Sequence, residues 1–168
     1  MKKFVSVILM AALALSLFAA CGKTEPEAPK GADLSGETVE ALVNKIYESK
    51  MPEFALMTMP VDLADAEMVA WQTGISDPAL LKEAVISESM MGSQAYSLVM
   101  VRVNDAAKSE EVAQMMLDNI DPRKWICVEA NDLLVATSND VALLIMVDSN
   151  NGLTAQSFVD AFNTVVAG

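Results

Sequence analysis

Residues 95–103 read AYSLVMVRV, β-branched or apolar at nearly every position. A half-exposed strand alternates apolar with polar residues, whereas a run apolar throughout belongs to a strand covered on both faces or central in its sheet. The segments that follow extend this reading. Glu110 to Ile120 has Val112, Met115, Met116 and Ile120 on one helical stripe, with Ser109 placed to cap and Asp121-Pro122 to stop it. Three short runs come next, Trp125–Ala130, Leu133–Thr137 and Val141–Asp148, separated by Asn131-Asp132 and Ser138-Asn139-Asp140. Those separators are turn-forming residues and predict an antiparallel meander. A last helix, Ala155 to Val166, aligns Phe158, Ala161, Phe162 and Val165. The order βαβββα predicts an α+β domain: an antiparallel four-stranded sheet with helices packed on one face.

Upstream, the pattern predicts a helical segment. Val39, Leu42, Val43, Ile46 and Tyr47 recur with helical spacing behind a capping Thr38. KMPEFALMTMPVD, between Lys50 and Asp62, suits a short strand or an extended loop. Asp62 is placed to cap a short helix through Trp71, stopped by Gly74. Asp77-Pro78 then reads as a helix start, because proline's missing N–H costs nothing at the first helical position. That helix is expected to run to about Val85.

The N-terminus carries a different message. Lys2 and Lys3 precede a run from Phe4 to Ala20 interrupted only by Ser6 and Ser16, and small residues stand before Cys21. This is the build of a secretory signal peptide, residues 1–20, more than of a spanning helix. Leu17-Phe18-Ala19-Ala20-Cys21 resembles the lipobox of bacterial lipoproteins, with Phe18 where leucine is usual. The resemblance implies that Cys21 is acylated and becomes the first residue of the mature chain, anchored to the extracytoplasmic face of the cell membrane by lipid such as palmitate. Two membrane signals hold stably where one acyl chain does not, so a diacylated cysteine needs no spanning helix. Residues 21–36 contain Pro26, Pro29, Gly31 and mixed charges, with Leu34 the only large apolar residue. They read as a flexible tether with a reach of about 20 Å, leaving residues 37–168 as a single domain.

The 168-residue chain has a formal charge of −12. Removing Lys2 and Lys3 with the leader leaves 9 basic against 23 acidic residues, or −14. Such a chain is repelled by nucleic acid. Only two cysteines occur, so acylation of Cys21 leaves Cys127 without a partner in the chain.

Together with the lipobox, WQTGISDP (Trp71 to Pro78), AYSLVMVRV and the stretch from KWICVEANDL onward resemble the small uncharacterised lipoproteins of Gram-positive bacteria that carry a domain of unknown function. The resemblance implies a fold and brings no activity with it.

The chemistry is bounded most sharply by the lack of histidine. Ser-His-Asp and Cys-His nucleophile systems are excluded as such, as is imidazole ligation of zinc or copper. Ser-x-x-Lys, Gly-x-Ser-x-Gly, Walker and Gly-x-Gly-x-x-Gly patterns are missing too. No catalytic residue and no cofactor is assigned. Cys127, read as part of a strand, is expected to be a small buried hydrophobe; a thiol activated by Arg123 or Lys124 is the alternative. Met51, Met57 and Met59 are candidate Cu(I) ligands, with Met57 and Met59 on one side of an extended segment. The competing role for methionine is to fill core gaps or line an adaptable contact surface. Asp148-Ser149-Asn150-Asn151-Gly152 fails the EF-hand spacing and reads as a turn. Phe54, Trp71 and Trp125 are the large aromatics to inspect, and Arg123-Lys124-Trp125 sets a cation beside an aromatic. The expectation is a non-enzymatic lipoprotein that binds an envelope protein or small ligand. An enzyme working through carboxylates is the alternative. A binding module should expose an apolar patch near the methionine-rich segment, and an enzyme should converge carboxylates in a deep pocket.

Overall fold

The computed structural model describes residues 33–168. The stretch expected to be a signal peptide, Cys21 and the expected tether as far as residue 32 lie outside the described residues. At the centre of the sheet lies β3 (Tyr96–Val103), every residue of which is buried. The sheet has five strands, not four, all antiparallel: β1 (Leu56–Pro60), β2 (Leu81–Ser89), β3, β4 (Asp132–Ser138) and β5 (Val141–Val147), in spatial order β1-β2-β3-β5-β4. β5 is buried at all seven positions as well.

Two strands buried on both sides require two covering layers, so the expectation of helices on one face is corrected. Tyr96, Leu98 and Met100 of β3 pack with Leu143, Ile145 and Val147 of β5 beneath α1 (Val39–Ser49) and α4 (Ala155–Ala167). On the opposite face Val99, Val101, Leu144 and Met146 pack with Val112, Ala113 and Met116 of α3 (Ser109–Asn119) and with Val69 of α2 (Ala66–Thr73). Each fully buried aliphatic side chain is worth about 1.5–3 kcal/mol, so two apolar faces make two cores. None of the described helices is long and apolar enough to cross a membrane.

Local chemistry explains where the elements begin and end. Thr38 caps α1 by accepting from the Ala41 N–H. Asp65, rather than Asp62, caps α2 by accepting from the Met68 N–H, and Gly74 ends it at φ +77°. A Cβ on Gly74 would also meet the Met116 carbonyl oxygen at 2.7 Å, so glycine serves both the left-handed turn and the close approach of α2 to the end of α3. Asp77-Pro78 does start a helical turn, but it is a single 3-10 turn, Pro78–Leu80, that gives way to β2. One turn satisfies the capping chemistry, and AVIS within β2 favours an extended chain. Ser109 is the first residue of α3 instead of its cap; Asp105 caps a 3-10 turn that leads into it. α4 receives its cap from a distant residue, the Asp132 carboxylate accepting from the Ala155 N–H. The expected three-run meander contracts to the β4–β5 hairpin, because Trp125–Ala130 is a loop.

Leu34, counted with the tether, is only 4% exposed and belongs to the core under α1 and α4. Buried Arg102 secures it, donating to the carbonyls of Leu34 (3.1 Å) and Glu37 (2.6 Å) and to Asp140 (2.7 Å).

Candidate functional site

One row of side chains crosses all five strands on the α2–α3 face: Met57, Glu88, Ser97, Met146 and Leu133, paired in register. Glu88 and Ser97 are polar groups on a surface that otherwise buries aliphatic residues, and burial of unpaired polar groups is costly. Lys124 supplies the partner. Its Nζ lies 2.6 Å from Glu88 Oε1 and donates to Ser97 Oγ at 3.1 Å. The Lys124 side chain is 1% exposed. Trp71 of α2 and Trp125 flank it, each ring centroid 5.5 Å from Nζ, within the range of cation–π attraction.

Burial lowers the Lys124 pKa from its ordinary value, opposed by the Glu88 carboxylate, by the hydrogen bond to it and by the charge of Asp121. A carboxylate at 2.6 Å holds a proton on the amine, and Ser97 is fully buried on a central strand. This constellation is therefore a lock that fastens the 121–131 loop over the sheet, and it does not offer Ser97 Oγ to a substrate.

What surrounds the lock is exposed. Trp71 is 50% exposed, Met57 46% and Ile126 79%. Met68 stands one turn before Trp71 on α2 and is exposed too. Met90 and Met91, in the β2–β3 turn, are exposed at the same end of the sheet. Beyond Trp125 the loop opens into a shallow pocket of about 390 Å³ lined by Arg123, Trp125, Cys127, Val128 and Glu129. Cys127 sits at φ +66° with its side chain exposed, correcting the expectation of a buried strand cysteine. A residue in the left-handed region cannot continue a strand, and the turn throws Ile126 and Cys127 outward.

The other sequence candidates disperse. Met57 and Met59 share one face of β1, as two residues two apart in a strand must. Met59 packs against the core of the α2–α3 face, while Met51 is exposed in the link between α1 and β1. Among the described residues no group of three or more Cys, Asp or Glu is placed to hold a metal ion. Asp148 caps a 3-10 turn, Ser149–Asn151, closed by Gly152 at φ +78°, so the turn reading holds there. Phe54 joins the core, its ring edge-on to Tyr96 at 5.4 Å. Sequence reasoning placed Lys124 beside an aromatic and passed over Glu88 and Ser97. For Ser97 a signal was available, since a polar residue inside an apolar strand asks for a buried partner; Glu88 carried none, because β2 reads as a helix start along the chain.

Comparison with protein-family models, with curated proteins and with solved structures finds no match to this chain.

Proposed function

We propose that the protein is a lipid-anchored extracytoplasmic binding module, held to the cell membrane through Cys21. It engages an envelope protein or a small ligand through the surface around Lys124. The observation that carries this reading is the exposure of Met57, Met68, Trp71 and Ile126 around one rigid, ion-paired centre. Exposed large apolar side chains gathered about one site mark contact surfaces. Methionine adds adaptability, and tryptophan is the residue type that most often dominates binding energy. Met57 of the patch belongs to the methionine-rich strand β1.

The test is site-specific photo-crosslinking in cells. A photoreactive residue at position 71 or 126 is expected to capture a defined partner that the same residue at Gln156, exposed on α4, does not. Identical capture profiles from all three positions would refute the assignment of the surface. Cys21→Ala is expected to release the protein from the membrane fraction, and its retention there would refute the anchor.

A further inference from the structure

Resting on the binding reading above, the geometry points to a partner of one chemical class: a basic, amphipathic peptide segment. The apolar patch is bordered by carboxylates whose positions the structure gives. Glu67 lies one turn before Trp71 on α2 and is exposed, and the capping Asp65 at the start of the same helix is exposed too. Asp121 is exposed and close enough to act on Lys124, and exposed Glu129 lines the pocket beside Trp125. Among the described residues, Lys124 and Arg123 beside this rim are already engaged, Arg123 by Glu129 itself, so Glu67, Asp65 and Asp121 carry the remaining negative charge. Lys124 is buried against Glu88, and Arg123 Nε is 3.4 Å from Glu129 Oε2. An acidic partner would meet this rim, on a chain of net charge −12, as repulsion. A neutral apolar partner would use the methionines and tryptophans alone. A segment with leucine-type residues on one side and lysine or arginine on the other satisfies both parts, with complementary charge steering its approach.

The test titrates the protein, followed by its tryptophan fluorescence, with three synthetic helical peptides and with vesicles. The peptides are built of Leu and Lys, of Leu and Glu, and of Ser and Lys; the vesicles are of phosphatidylcholine with or without phosphatidylglycerol. The Leu/Lys peptide is expected to bind, to weaken with added salt, and to lose about tenfold in affinity in Met57→Ser/Met68→Ser, the loss of a buried apolar anchor. In Glu67→Lys/Glu129→Lys it should bind more weakly and with less salt dependence, while circular dichroism confirms that each variant is folded. Equal binding of the Leu/Glu peptide, lost in the same methionine variant, would overturn the basic partner and leave the binding surface standing. Leu/Lys binding unchanged in the methionine variant, or matched by the Ser/Lys peptide, is unspecific attraction to an acidic protein and overturns the inference. So do vesicle binding in place of peptide binding and failure of all three peptides to bind, while the crosslinking above decides the binding reading separately.

Discussion

Among the described residues each face of the sheet buries a cation, and the two are used differently. Arg102, near the end of β3 on the α1–α4 face, is surrounded by acceptors: two backbone carbonyls, Asp140, and Glu83 at 3.7 Å. Its planar fork suits several fixed oxygens at once, and every partner belongs to a segment that the fold must close. Lys124 reaches the opposite face near the start of β3, where one carboxylate, one hydroxyl and two aromatic rings receive it. Its surroundings then open to solvent through Trp71, Met57 and Ile126. The same kind of residue seals the chain at one end and supports an exposed surface at the other. Burial of a charge therefore does not by itself identify a functional site.

The comparison breaks most severely at Arg102. Arg102→Met removes the shared partner of two backbone carbonyls, Asp140 and Glu83 and should destabilise by about 3–5 kcal/mol, as removal of one buried ionic partner does. Chemical denaturation measures it, and a loss below that of Lys124→Met would reverse the assignment of the sealing role. Lys124→Met is expected to cost about 3 kcal/mol, because it leaves one carboxylate, Glu88, without its partner, where Arg102 serves two carboxylates and two carbonyls. The double variant Lys124→Met/Glu88→Leu should regain most of that loss, since a well-packed apolar pair can replace an ion pair. No recovery in the double variant would mean that the lysine acts through the tryptophans instead. Gly74→Ala, strained at φ +77° and pressed on Met116, should cost about 1–3 kcal/mol and shift the emission of Trp71, without weakening the Arg102 end as judged by hydrogen exchange of α1.

Two further measurements sharpen the contrast between sealed and open. On the sealed face Tyr47 and Tyr96 share a hydroxyl hydrogen bond of 3.0 Å. Desolvation raises both pKa values, that of Tyr96 well above the ordinary range. A raised pKa means that the folded chain holds protons the unfolded chain has lost. This contribution is complete below about pH 10 and is lost as pH climbs through the folded values. Tyr47→Phe/Tyr96→Phe should therefore lose stability less steeply above pH 10 than the wild type does. On the open face Cys127 should react with a maleimide in the folded protein as fast as in the denatured one; strong protection would close the loop that the structure leaves open.

Much of this was legible along the chain, and particular residues show where legibility ended. The covered character of β3 followed from AYSLVMVRV, α1 from its apolar stripe and capping threonine, and the β4–β5 hairpin from Ser138-Asn139-Asp140. β2 did not, because Asp77-Pro78 is a genuine helical start whose turn simply stops, and no local signal says how many turns follow. Trp125–Ala130 resembles a strand in composition, yet a left-handed Cys127 ends it. Of the site, Trp71, Trp125, Met57 and the cation beside an aromatic could be marked in advance; their meeting could not.

The sequence by itself determined an α+β chain with an apolar strand either covered on both faces or central in its sheet, a strongly acidic composition and no imidazole chemistry, because composition and periodicity are local properties. Tertiary structure alone decided that two helical layers enclose the sheet and that Lys124 pairs with Glu88 across 36 residues. It also decided which large apolar side chains stay in water. Pairing and exposure depend on what the fold brings alongside, and a side chain's own neighbours in sequence carry no record of that.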